Sequence, residues 1–360
     1  MIISEHSAHR GGSTQSTAAC APCPKRRSAV FPCISETRLG LWGVLRNERS
    51  LSISPMLSNK TAQLNQSDIM VDSFTPKVFD TAAKWQQIRR AVASPVDHHF
   101  LHAESAERLS DRLLDLDQEF QTVAVLGWWP TDPRTLVPAK LGQAQIVDLS
   151  FNRGAAQADL EFLPLRAHSF DLILSNMALH WVNDLPGMLA QIRTALKPNG
   201  VFLGSALGGE TLHELKASFV EAETGVRGGY HPRVSPVMDL RDAAGLLQRA
   251  GFNLPVADID RINVAYDTPL KLMHDLRGMG QTNAVVGRQT TLTPRSVLFA
   301  ALQHYVQAFG DAEGCVPATF DCLFLSGWSP HESQQKPLRP GEAKNSLAEA
   351  LGATEHPLKS

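Results

Sequence analysis

The sequence of 360 residues lacks a charge imbalance and a long apolar run. Its 34 basic and 36 acidic residues give a net charge of -2, so no strong positive field is available to hold nucleic acid. No stretch approaches the ~20 consecutive apolar residues that cross a bilayer. The composition therefore predicts a protein that neither binds nucleic acid nor spans a membrane.

Cysteines are few, and their number of five is odd. Three of them, Cys20, Cys23 and Cys33, lie in a polar N-terminal segment, and the Cys20–Cys23 pair has no second pair or histidines at ligand spacing. This pattern indicates neither a disulfide framework nor a zinc site. We expect a reducing compartment, the bacterial cytoplasm or alternatively the mitochondrial matrix.

The chain divides by composition into an extension, a domain and a tail. Residues 1–73 are rich in Ser, Pro, Gly and Thr and show no sustained period, which predicts a disordered extension. Either an organellar presequence or a start of translation at Met56 or Met70 accounts for this segment. Residues 331–360 form a second polar segment, and residues 75–330 are the predicted domain.

Within that domain, apolar runs of strand length alternate with amphipathic helices. Strands are predicted at 123–126, 144–149, 170–174, 201–203 and 319–328, and helices at 185–196, 240–250, 269–276 and 294–309. This alternation is typical of a mostly parallel sheet with helices on both faces.

The ends of the first two strands carry a nucleotide-type pattern. Gly127 ends the first strand, and Asp148 lies near the end of the second, 21 positions later. An acidic side chain at this point accepts hydrogen bonds from ribose hydroxyls, and a glycine lets the backbone approach a ligand. The alternative is that Asp148 only caps the following turn.

Longer motifs give a family resemblance. Asp159–Pro164, Phe170–Asn176, Leu179–Pro186 and Leu196–Gly200 resemble the central motifs of type 11 class I methyltransferases. Within them the chain is similar to the biotin-synthesis methyltransferases, and more so to the methyltransferase-like assembly factors of mitochondrial complex I and their bacterial relatives. The motifs that resemble this last group are Gly208–Leu215, Asp275–Asn283 and Gly327–Gln334.

The resemblance implies a class I methyltransferase (Rossmann-like) α/β fold with a seven-stranded sheet. It also implies S-adenosylmethionine as cofactor, with Gly127 beneath the methionine part, Asp148 on the ribose, and Asp159 with the Leu160 backbone on the adenine edge. The strand that begins at Phe170 adds two further candidates. They are Asn176 for a cofactor or catalytic contact and His180 for proton transfer.

The loop after the first strand departs from the family pattern. An acid usually stands two residues before Gly127 and glycines usually follow it, whereas this chain has Val125 and then Trp128-Trp129-Pro130. Side chains crowd a ligand there, and Pro130 removes an N–H donor. A dehydrogenase is disfavoured for the same reason, because its pyrophosphate needs free amides.

Two functions remain open from the sequence. The first is an S-adenosylmethionine-dependent enzyme that modifies a protein side chain, by methylation or by arginine hydroxylation, during assembly of respiratory complex I. The second is a catalytically inactive scaffold with the same fold. Glu210, His213 and Glu214 are expected on one helical turn, where they either face the cleft or form a solvated surface. No metal is assigned.

Overall fold

The computed structural model describes residues 77–154 and 158–335. All of them belong to one unit, Thr75–Ser360. The predicted extension over 1–73 and most of the predicted tail over 331–360 lie outside the described residues.

The described residues form an α/β domain. Its helices are α1 (Thr81–Val92), α2 (Phe100–Leu114), α3 (Pro133–Leu136), α4 (Pro138–Leu141), α5 (Leu185–Ala195), α6 (His213–Arg227), α7 (Leu240–Arg249), α8 (Pro269–Gly278) and α9 (Arg295–Phe309). Its strands are β1 (Thr122–Gly127), β2 (Gln145–Ser150), β3 (Phe170–Asn176), β4 (Leu196–Gly208), β5 (Asn253–Tyr266) and β6 (Val316–Trp328). None of the helices in this part of the chain has both the length and the apolar character that crossing a bilayer requires.

The strands form one sheet in the order β2-β1-β3-β4-β6-β5. The neighbours from β2 to β4 pair in parallel, whereas β6 runs antiparallel to both β4 and β5. The mostly parallel sheet is confirmed. The strand count of seven is corrected to six within the described residues, where residues 158–169 before β3 make only a bridge between Asp159 and Phe162.

Hydrophobic cores cover both faces of the sheet, as predicted. One face packs against α2, α6, α8 and α9, and the other against α1, α5 and α7. In α5 the Asp184 carboxylate accepts a hydrogen bond from the Gly187 amide at 2.9 Å, and Met188, Leu189 and Ile192 are fully buried. The capped apolar stripe explains why this helix forms where the sequence places it.

Two elements differ from expectation. β4 begins at Leu196, before the turn residues Lys197–Gly200, and its register against β3 shifts there, so these residues form a bulge instead of a loop. α6 begins at His213, after Leu212 in a left-handed conformation (φ 57°). Glu210 therefore precedes the helix and does not share a helical turn with His213 and Glu214, contrary to the prediction.

Candidate cofactor and acceptor site

The turn after β1 is held against β3. Gly127 has φ +82°, and a Cβ at this position would lie 2.1 Å from the Asn176 carbonyl oxygen. The next amide, of Trp128, donates to the same oxygen at 2.9 Å. This turn requires glycine because β3 lies so close that any side chain would collide with it. A bound ligand above the turn would add a second reason.

Asp148 lies near the carboxyl end of β2 and faces the loop that follows β1. Its Oδ1 accepts from the Ser150 amide at 2.9 Å, and its Oδ2 lies 3.7 Å from Arg153 Nε. Arg153 also reaches Asp132 of the β1 loop at 3.7 Å. The two predicted ligand points, Gly127 and Asp148, thus share one edge of the sheet, and the side chain of Asp148 stays 26% exposed.

Asn176 has a structural role. Its amide donates to the carbonyl oxygens of His102 and Trp128, and its Oδ1 accepts from Ser205 Oγ at 2.9 Å. Ser205 in turn accepts from Ser105 at 2.8 Å. Both amide protons are used within the protein, and the cofactor or catalytic contact by this side chain stays a prediction.

Asp159 and Leu160 form a tight turn between β2 and β3. Asp159 is exposed, and its Oδ1 accepts from the Glu161 amide at 3.0 Å. The Leu160 side chain is buried in the core. Their contact with an adenine ring stays a prediction.

The two indoles after Gly127 point to opposite faces of the sheet. Trp129 is 1% exposed, and its Nε1 donates to the Leu126 carbonyl oxygen at 2.7 Å. Trp128 lies on the other face and stacks on the imidazole of His99, with ring centroids 4.5 Å apart. Trp129 is therefore part of the core on one face, whereas Trp128 is buried in the core on the other face and also lines a small cavity.

Beside Trp128 is a small cavity of about 10 Å³, lined also by Lys84, His102, Met177 and Gln281. This volume holds about one water molecule.

Gln281 organises the polar wall of the small cavity. Its Oε1 lies 3.0 Å from His180 Nε2 and accepts from Trp181 Nε1 at 3.1 Å. The Leu207 amide donates to His180 Nδ1 at 3.2 Å, so His180 is neutral and carries its proton on Nε2. Burial, aided by the charge of Lys84, lowers the pKa of His180 to about 3. These contacts hold the His180 ring in one orientation, and its proton-transfer role stays a prediction.

A second cavity, the β4–α6 pocket, lies at the carboxyl end of β4 and has a volume of about 500 Å³. The loop before α6, the α6 helix and residues 230–237 line it. The segment Met279–Val285 borders both cavities, because Gln281 lines the small cavity and Val285 lines the β4–α6 pocket.

The charges around the β4–α6 pocket are unevenly paired. Glu223 is fully buried and accepts from the Arg233 guanidinium and from the His231 amide. Burial raises the pKa of Glu223, but these hydrogen bonds outweigh it and lower that pKa below its ordinary value. The Glu210 carboxylate is exposed and lies near enough to Arg261 to raise the pKa of that guanidinium, after the larger effect of Asp321. Lys216 also lines this pocket.

Three further residues of the site escaped the sequence argument. Lys84 lies on α1 and His102 on α2, and neither belongs to a recognisable motif. Gln281 lies within the motif Asp275–Asn283, which was the available signal. Across the described residues, no group of three or more His, Cys, Asp or Glu side chains is arranged to hold a metal ion.

Comparison with known proteins identifies the family. The profile of a methyltransferase domain matches residues 135–204, a range that begins after the Trp128–Pro130 loop. The arginine-hydroxylase NDUFAF5, mitochondrial, of Danio rerio is 38% identical over 287 residues, which is 76% of this chain and 89% of that protein. The human protein of the same name is 36% identical over 84% of this chain and 88% of its own length.

Bacterial enzymes and solved structures are also similar. The malonyl-[acyl-carrier protein] O-methyltransferase of Methylovorus sp. is 31% identical over 70% of this chain and 90% of that protein. Phosphoethanolamine N-methyltransferase 2 of Haemonchus contortus, solved with S-adenosyl-L-methionine, is 16% identical, with a TM-score of 0.35 over 62% of this chain and 52% of its own. The identity and coverage of the NDUFAF5 proteins show that this chain, with its methyltransferase domain, belongs to the NDUFAF5 family.

Proposed function

We propose that this protein is an S-adenosylmethionine-dependent enzyme that methylates an arginine side chain of a respiratory complex I subunit during assembly. It would act where that complex is assembled, in a bacterial cytoplasm or a mitochondrial matrix. The observation that carries the proposal is the position of Asp148, whose partly exposed carboxylate lies at the carboxyl end of β2 beside the Gly127 turn.

The residues at this edge fit the cofactor. The Asp148 carboxylate can accept hydrogen bonds from ribose hydroxyls, since only its Oδ1 is occupied by a close backbone contact. His102 lines the small cavity, and its buried Nδ1 has no hydrogen-bond partner. When bound, S-adenosylmethionine supplies an activated methyl group, so the protein contributes mainly positioning and exclusion of water.

The β4–α6 pocket fits the acceptor. An arginine side chain needs an acidic partner for its guanidinium and apolar or aromatic surface for its stem and plane. Glu210 supplies an exposed carboxylate, while Phe219 and the 58% exposed Tyr230 supply aromatic surface. The mitochondrial relatives are arginine-hydroxylases by name, which supports arginine as the acceptor.

The direct test compares complex I from cells with and without the gene by peptide mass spectrometry. We expect an arginine of one subunit to carry the extra mass of a methylene group only when the gene is present. An added oxygen atom on that arginine would instead assign hydroxylation, and unchanged arginines would refute side-chain modification of this complex.

Cofactor binding tests Asp148 separately. The substitution Asp148→Asn is expected to weaken S-adenosylmethionine binding at least about tenfold, because a hydrogen bond to a charged group contributes about 1.5–3 kcal/mol. Isothermal titration calorimetry of the full chain measures this. Asp242→Asn on the exposed start of α7 is the matched control and should bind as the wild type does. If the wild type, Asp148→Asn and Asp242→Asn bound S-adenosylmethionine with equal affinity, Asp148 would not be a cofactor-binding residue.

The size of the small cavity favours a second candidate function, a scaffold without catalysis. At about 10 Å³ this cavity is too small for the methionine part of the cofactor. Calorimetry also separates the two candidates. Micromolar binding of S-adenosylmethionine supports the enzyme, and absence of both heat and a thermal shift at millimolar ligand supports the scaffold.

A further inference from the structure

The outer face of α9 is apolar. On the inner face of this helix, Val297, Ala301 and Tyr305 are buried in the core that covers one side of the sheet. On the opposite face, the side chains of Phe299 and Val306 are 65% and 46% exposed. A surface helix ordinarily carries polar and charged residues on the side that faces water. The outer face of α9 therefore resembles a contact surface more than a solvated one.

The apolar residues of this face are regularly spaced. Phe299, the half-buried Leu302 and Val306 follow one another at intervals of three and four, so they form one stripe along the helix. Leu292, seven positions before Phe299, is 94% exposed and continues the spacing into the segment before α9. Alternating intervals of three and four are the pattern by which one helix packs against another. The stripe therefore suits a second helix as its partner.

The charges at the two ends of α9 oppose its dipole. Arg295 is the first residue of the helix, and the first turn has no acidic residue. Asp311 lies two positions after the last residue, and the last turn has no basic residue. A helix favours the reverse distribution, with acids near its N-terminus and bases near its C-terminus. Both side chains are exposed, and neither forms an ion pair with another described residue.

We propose that the outer face of α9 binds the same face of a second copy of this chain, with the two helices antiparallel. The two-fold axis passes near Leu302, the midpoint of the helix. The Phe299 end of each helix then lies beside the Val306 end of the other, so that apolar surface covers apolar surface. The inference depends neither on the cofactor nor on the acceptor.

The end charges select the antiparallel orientation. Arg295 of one copy approaches Asp311 of the other, so both charges gain an opposite partner. Each charge also comes to the end of the other helix whose dipole favours it. A parallel pair would instead bring two Arg295 side chains together at one end and two Asp311 side chains at the other.

Sedimentation velocity of the full chain tests the dimer. The wild type is expected to have twice the 39.3 kDa mass of the chain at micromolar concentrations. Phe299→Glu and Val306→Arg should each weaken dimerisation at least about tenfold, because a two-fold interface contains each change twice and leaves each new charge without a partner. Phe162→Glu is the matched control. Phe162 is likewise exposed, at 77%, but lies in the segment before β3, so this variant should dimerise as the wild type does.

The double substitution Phe299→Glu with Val306→Arg tests the orientation. In an antiparallel dimer the introduced carboxylate of each copy lies beside the introduced guanidinium of the other, so dimerisation is expected to recover. In a parallel dimer like charges would meet, and dimerisation would stay weak. Both positions are exposed in the single copy, so the variants should keep their fold, which far-ultraviolet circular dichroism checks.

A monomeric wild type would overturn the inference and leave this face to another protein or to another segment of the same chain. Single variants that dimerise as tightly as the wild type would overturn it as well. Loss of the dimer in both single variants without recovery in the double substitution would refute the antiparallel arrangement.

Discussion

Replacing Trp129 by glycine, the residue type that methyltransferases usually have in this loop, is expected to lower the free energy of unfolding by about 3–5 kcal/mol. The indole is 1% exposed and belongs to the core that covers one face of the sheet. Its removal leaves a cavity and deprives the Leu126 carbonyl of its 2.7 Å donor. Urea denaturation followed by far-ultraviolet circular dichroism measures the change.

A matched substitution separates volume from hydrogen bonding at this position. Trp129→Phe keeps an aromatic ring but removes the Nε1–H donor, so we expect a loss nearer to about 1 kcal/mol plus a small packing term. The Trp129 backbone should stay in place in this variant, because its N–H and C=O groups both bond to the Asn152 side chain. If Trp129→Gly were as stable as the wild type, the indole could not be part of the core.

The parts of the fold that were predicted correctly are those set by local sequence. β1, β2 and β3 are apolar runs of strand length, and α5 has a cap, an early proline and one apolar stripe. Each signal lies within a dozen neighbouring residues. Such elements are identified before any partner is known.

The parts that were missed depend on distant partners. β5 mixes exposed, charged and apolar residues over fourteen positions, and it forms because it pairs with β6 along nearly its whole length. A half-exposed edge strand carries a weak apolar pattern, so its own sequence does not reveal it. The expected seventh strand was inferred from the family, whereas residues 158–169 before β3 form turns and a single bridge.

In the candidate site, too, some features follow from local sequence and others depend on residues that are distant in the chain. The position of Asp148 at a strand end follows from local pattern, and the structure places it on the same edge as Gly127. The small cavity instead joins side chains from distant segments: Lys84 meets Gly280 across 196 positions, and His102 meets Gln281 across 179. No local periodicity encodes those contacts. The opposite directions of Trp128 and Trp129 also became clear only from their packing.

Acidification is expected to destabilise the domain through its buried imidazoles before its carboxylates are protonated. Burial first, and the charge of Lys84 second, hold the pKa of His180 at about 3, against an ordinary value of 6.5. Between these two values the unfolded chain binds a proton that the folded chain does not, so the free energy of unfolding falls as pH decreases. The stabilisation that comes from keeping His180 neutral is fully present above pH 6.5. By pH 4.5, protonation of His180 in the unfolded chain alone lowers the free energy of unfolding by about 3 kcal/mol.

The imidazole of His102 acts in the same direction, since burial also lowers its pKa. Urea denaturation at several pH values between 7.5 and 4.5 measures the slope, and the double substitution His102→Gln with His180→Gln is expected to flatten it. His331→Gln, at an exposed position, should leave the slope unchanged. A wild type that is equally stable at both ends of this range would show that water reaches these imidazoles.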